Sequence, residues 1–247
     1  MKKVGTAIFL LSLALLMQAS EKLLLLAEDG FHEFLKQDFH RLALTVSQKY
    51  DCKLSSVPEK EVQPVLRISS RKESGNYTSV LFAVRGHLFF VNGTNPVEGL
   101  TSEDLKQIFS GSFRKWKRTS VPLRQICYSG DEKIVPKDLV KGSVPWIRFS
   151  DPYYALQMVS SDISALGIIS LVNADLSVKG TRVLPVDGVA ATPQTVMSGT
   201  YPGAVRYYLS IRKDAPPEVQ EICKKLRSKE TKLKLLKAGI LPAVEGD

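Results

Sequence analysis

The stretch LTSEDLKQIFSGSFRKWK, residues 100–117, decides how the chain is to be read. Thr101 stands as an N-cap with Asp104 three residues on, an acidic version of the capping box. Leu100 before the cap and Leu105 after it have the spacing of a hydrophobic staple. Leu105, Ile108 and Phe109 share one helical face, and Gly111 is a natural stop. The spacing predicts a short amphipathic helix over 101–111, then a basic turn carrying Trp116.

Outward from this helix, strands and helices alternate. Upstream, strands are expected at 23–27, 66–70, 80–84 and 88–91, the last two separated by Arg85 and Gly86. Phe31, Phe34, Leu35, Phe39, Leu42 and Val46 recur at helical spacing after the first strand. Downstream, strands are expected at 123–128, 168–172 and 205–212. Helices are expected from Thr192–Pro193 to Gly199, on the Val219, Ile222, Cys223 and Leu226 face, and over 229–238. This alternation predicts an α/β fold. No repeat and no Pro/Gly-rich linker divides the chain, so two lobes would have to arise by the chain crossing over between them.

The first twenty residues, MKKVGTAIFLLSLALLMQAS, read differently. Lys2 and Lys3 precede an apolar run too short for a membrane span, then small and polar residues, which is the layout of a secretory signal peptide. No cysteine follows the run, so a lipoprotein anchor is not indicated. The 247 residues include 34 basic and 25 acidic side chains, a formal net charge of +9, which loss of Lys2 and Lys3 would lower by two. Cys52, Cys127 and Cys223 are far apart in sequence; one disulfide with one free thiol, or none, is compatible with export. No C-x-x-C, H-E-x-x-H, P-loop, dinucleotide fingerprint or Gly-x-Ser-x-Gly elbow occurs, so neither a metal or cofactor site nor an enzyme is indicated.

Five segments carry a resemblance. FFVNGTNPVEGLTSEDLKQIFSGSFRKWK (89–117), LPVDGVAATPQTVMSGTYPGAVRYYLSIRK (184–213) and KAGILPA (237–243), with ALGIISL (165–171) and LRISSRKES (66–74), resemble periplasmic phosphate-binding proteins of ABC importers, within the type 2 solute-binding family. The resemblance implies two α/β lobes joined by two crossovers. Residues 1–20 would be the signal peptide, 21–95 the first part of lobe one, 96–185 lobe two, and 186–247 the return into lobe one. It further implies a periplasmic or otherwise exported protein that binds a small oxyanion, phosphate being the candidate, between its lobes. An ABC permease would be its partner, with no nucleic acid, no membrane anchor and no cofactor.

Carried onto this chain, the family's binding loops correspond to Gly30, to Ser69, Ser70 and Arg71, and to Ser129 and Gly130. Two hydroxyls and a guanidinium at a strand end suit an oxyanion. The chain departs from the pattern at three places. Glu28 and Asp29 precede Gly30, Arg85–Gly86 replaces an Asp-Gly, and Asp131 and Glu132 follow Ser129–Gly130. Carboxylates at helix starts satisfy the dipole and repel a second anion. Two functional expectations therefore stand side by side: an oxyanion receptor, and a binding-protein fold that has left phosphate behind to act as an interaction or sensing module or to bind another ligand. Arg114, Lys115, Lys117 and Arg118 around Trp116 would suit nucleic acid, but a solvated basic turn accounts for them.

Overall fold

The computed structural model describes residues 21–243 apart from 29–30, 33, 38–39, 41–49, 60–61, 117–118, 130–143 and 175–177. The signal-peptide expectation, Gly30, Gly130, Asp131 and Glu132 lie outside the described residues. Ten strands are described: β1 (Glu21–Ala27), β2 (Tyr50–Ser55), β3 (Leu66–Ser69), β4 (Tyr77–Asn92), β5 (Gln125–Ser129), β6 (Trp146–Phe149), β7 (Ala165–Ser170), β8 (Thr181–Leu184), β9 (Ala204–Arg212) and β10 (Leu241–Pro242). The helices are α1 (Ser102–Phe109), α2 (Pro152–Ser161), α3 (Pro193–Ser198), α4 (Pro217–Leu226) and α5 (Lys229–Lys237). Residues 31–32, 34–37 and 40 are also helical.

The strands run in the order β2-β1-β3-β9-β4-β7-β5-β6, with β8 and β10 paired to β4 off this path. β4 is the spine of the molecule. The sequence suggested two strands broken at Arg85–Gly86, whereas the backbone stays extended for 16 residues. The partners change instead of the conformation. Tyr77 to Gly86 pair with β9, ending at Gly86 opposite Ala204. His87 onwards pairs with β7, beginning at Ser170, and Phe89 to Asn92 pair with β8. Gly86 sits where this exchange brings α3 close. A Cβ there would lie 2.8 Å from a Val196 methyl, so no side chain fits without movement.

Apolar alternation along β4 sends its side chains into different cores. Phe89 and Val91 join Leu105, Ile108, Trp116 and Leu184 in one cluster. Leu88 and Phe90 face the other way, against Cys127, Leu156 and Val159. On the far side of the exchange, Phe82 and Ala83 pack with Leu23, Phe31, Ile68, Leu209 and Ile222. A bulge between Leu81 and Ala83 lets the spine turn between these environments.

The opening stretch folds as its sequence dictates. Thr101 Oγ1 accepts from the Asp104 N–H at 3.1 Å, and Asp104 Oδ2 accepts from the Thr101 N–H at 2.8 Å. Gly111 takes φ 70°, and the Gly111 N–H reaches the Ile108 carbonyl at 3.1 Å. Trp116 is buried with Phe113 edge-on at 5.4 Å, so its ring is core and unavailable for stacking on a base.

Candidate anion site between the two halves of the sheet

A cavity of about 470 Å³ opens where β4 changes partners. Period-2 alternation puts Arg85, His87 and Phe89 on one face of that strand, and all three line it. The start of β9 contributes Gly203 to Val205 and Tyr207; the first two turns of α1 contribute Ser102, Leu105 and Lys106; Ser70 stands at the end of β3. No carboxylate is among these described lining residues.

Arg85 is the centre of the argument. The residue is 6 % exposed. Its guanidinium carbon lies 6.0 Å from the Tyr207 ring centroid, a cation–π contact. Among the described residues it makes no hydrogen bond and no ion pair. Buried charges are ordinarily paired, because desolvating a guanidinium costs several kcal/mol, roughly, unless an opposite charge offsets it. A buried cation in a cavity wall, with no carboxylate beside it among the described residues, makes this wall chemically suited to an anion.

His87 reinforces this reading. It is 7 % exposed, its Nδ1 is fully buried with no partner among the described residues, and burial, with Arg85 nearby, lowers its pKa to about 4. At neutral pH the ring is uncharged and adds polarity without competing for an anion. The backbone here is held firmly: the His87 N–H donates to the Gly203 carbonyl at 2.9 Å, and Tyr201 Oη donates to the His87 carbonyl at 2.8 Å.

The start of α1 is already occupied by the protein's own carboxylate. Asp187 accepts from the Ser102 N–H at 2.9 Å and from the Ser102 hydroxyl. These two bonds, the hydroxyl one foremost, hold the Asp187 carboxyl below its ordinary pKa. Asp187 sits in the left-handed region at φ 50°, which aspartate tolerates better than most residues. This contact staples the return segment to α1, and it leaves Arg85 as the buried positive charge of the cavity wall. Lys106, exposed and 3.3 Å from Glu103, supplies a weaker second charge.

The residues singled out in the sequence are scattered by comparison. Ser70 lines the cavity. Ser69 is fully buried, and its hydroxyl donates to the Arg71 carbonyl at 3.0 Å, which shapes the turn. The Arg71 side chain is 80 % exposed, lies 3.9 Å from Glu73 and does not line the cavity. Ser129 is buried at the end of β5 and is not among the described lining residues. The Glu28 carboxylate accepts from Arg67 at 2.6 Å, and Arg67 also reaches Glu73 at 2.8 Å, so that cation is neutralised twice. The three cysteines are free; burial pushes the Cys127 and Cys223 thiols up to about 12, which keeps them protonated. Sequence reasoning passed over His87, Ser102 and Lys106, and noticed Arg85 only as a departure. The signal that could have found the first was Arg-x-His in a run otherwise alternating toward a core.

Two sheet halves strung on one long strand, helices on their faces and a polar-floored cavity at the exchange define the two-lobed α/β fold of the type 2 periplasmic binding proteins. Solved structures share that fold over nearly the whole chain. A possible phosphate binding protein from Planctomyces limnophilus superposes with a TM-score of 0.70 at 15 % identity, covering 92 % of this chain and 94 % of that one. PstS from Borrelia burgdorferi gives 0.63 at 14 % identity over 90 % and 98 %. An ABC-type phosphate transport receptor from Vibrio cholerae gives 0.62 at 15 % identity over 89 % and 99 %. No family model matches the sequence, and no curated protein does either. At these identities the likeness speaks for the fold alone.

Proposed function

We propose that this protein is an exported solute receptor that captures a small oxyanion, phosphate being the first candidate, in the cavity between its two lobes. The single observation behind the reading is Arg85, a buried guanidinium in a cavity wall with no hydrogen bond or ion pair among the described residues. Lobe one would comprise residues 21–95 and 186–247, and lobe two residues 96–185. Residues 1–20 would direct export, and lobe closure on the anion would present the complex to an ABC permease. The role is binding without chemistry on the ligand. No helix among the described residues is long and apolar enough to cross a membrane.

A second reading has its own observation. Arg71 points to solvent, Glu28 and Glu73 neutralise Arg67, and Asp187 fills the start of α1. Those features favour a binding-protein fold that has given up phosphate and serves as an interaction or sensing module. Thermal unfolding separates the two. Phosphate, sulfate and chloride are compared at matched ionic strength. A receptor at a hundredfold excess of ligand over Kd gains about 2.7 kcal/mol. A midpoint raised by an oxyanion and unmoved by chloride supports the receptor; a midpoint indifferent to all oxyanions leaves the module.

A further inference from the structure

The cavity offers more apolar wall than a bare oxyanion can use. Phe89, Leu105, Phe109, Pro202, Val205 and Tyr207 line it alongside the donors. A volume of about 470 Å³, at about 30 Å³ per water, is room for roughly fifteen waters. Inorganic phosphate fills a small part of that. Closure of the lobes would reduce the volume, but it would press the carbon wall more tightly around the ligand. Pockets of this size with mostly apolar walls and a few placed polar groups are those that take small organic molecules.

The wall is also ordered along β4. Arg85, His87 and Phe89 follow each other on one face, which sets the Cα atoms of Arg85 and Phe89 about 13 Å apart at the ordinary strand rise. Phe109 of α1 meets Phe89 edge-on, with ring centroids 6.5 Å apart, so the fully buried Phe89 backs the half-buried Phe109 at the apolar end of the cavity. Leu105, one turn earlier on α1, belongs to the same core cluster as Phe89, and Phe109 packs against that cluster.

We infer that the ligand is an organic anion: an oxyacid head held at Arg85 and an aromatic or branched apolar body laid against Phe109 and the edge of Leu105, with the fully buried Phe89 packed behind them. This rests on the reading of the cavity as an anion site and adds the class of anion. The head is a phosphonate or a carboxylate, since either accepts two parallel bonds from a guanidinium. The body adds burial of apolar surface to the attraction of the buried cation.

Calorimetric titration tests it. The protein is titrated with phosphate, phenylphosphonate, acetate, phenylacetate and the neutral 2-phenylethanol. Each aromatic anion is expected to bind about tenfold to a hundredfold more tightly than its bare counterpart, the gain from burying one ring. Its binding should carry a negative heat-capacity change, and the tighter of the two aromatic anions identifies the head. Phe109→Ala should erase most of that advantage. Should that variant unfold, the wild-type comparison still decides. Equal affinities for phosphate and phenylphosphonate would overturn the inference and leave the oxyanion receptor standing. Binding of 2-phenylethanol as tight as that of the anions would overturn it too, because the head would then contribute nothing. Silence from every anion would remove both readings. Binding of aromatic anions with none of phosphate would uphold the inference and retire phosphate as the candidate.

Discussion

Replacing Arg85 with Met should make the empty protein more stable and the anion-bound protein impossible to form. Arg85 is buried at 6 % exposure with the Tyr207 ring as its contact and no counter-charge among the described residues. Removing the charge recovers part of a desolvation cost of several kcal/mol, roughly, against a lost cation–π contact of about 0.5–2 kcal/mol. The net gain is about 1–2 kcal/mol, because the cavity beside Arg85 admits water and moderates the penalty. For a chain of this size that raises the unfolding midpoint by roughly 2–8 °C. The wild type, by contrast, should gain about 2.7 kcal/mol at a hundredfold ligand excess, and the variant nothing. Scanning calorimetry of both proteins, with and without the best-binding anion, reads all four states. The reasoning is refuted if Arg85→Met lowers the midpoint of the empty protein while the anion-induced rise survives; Arg85 would then be a structural group.

Three further outcomes follow from the same geometry. His87 is held neutral in the folded state, with a pKa lowered to about 4, whereas the unfolded chain protonates it near 6.5. Its stabilising effect is therefore complete above about pH 6.5 and lost as pH falls toward 4, about 3 kcal/mol in all. Denaturant titrations should show a shallower acid slope in His87→Gln, and an unchanged slope would contradict the assignment. Gly86→Ala places a methyl 2.8 Å from Val196, so overpacking of about 1–3 kcal/mol should appear in chemical unfolding; Val196→Ala in the same chain should relieve part of it. Thr101→Ala breaks the reciprocal cap at α1 and should cost about 1 kcal/mol, whereas Thr101→Ser should cost little.

What was legible in the sequence had local causes. The cap at Thr101, the stop at Gly111, Pro193 behind Thr192 and the faces of α4 and α5 all act within one or two turns, and each element formed within a few residues of its expected place. β6 and β8, at four residues each, escaped the sequence reading, although the equally short β3 did not. The Asp151–Pro152 start of α2 was available as a signal and went unused. The expected break in β4 failed for a tertiary reason. Arg85–Gly86 reads as a turn locally, but β9 holds one side of it and β7 takes over from His87. The site was harder to read for the same reason. Ser70 came from a resemblance in a local loop, and it lines the cavity. Arg85 becomes a buried cation, without an ion pair among the described residues, only because Tyr207 and the start of β9, far along the chain, fold over it.

The central claim is that an anion sits at Arg85, and locating one by its scattering tests this most directly. Crystals grown with arsenate, a heavy analogue of phosphate, would show its position in an anomalous difference map. The account predicts a peak within hydrogen-bonding distance of the Arg85 guanidinium, absent in Arg85→Met. Arsenate found only on the exposed basic surface of Lys224, Arg227 and Lys232, or nowhere on the protein, would contradict it.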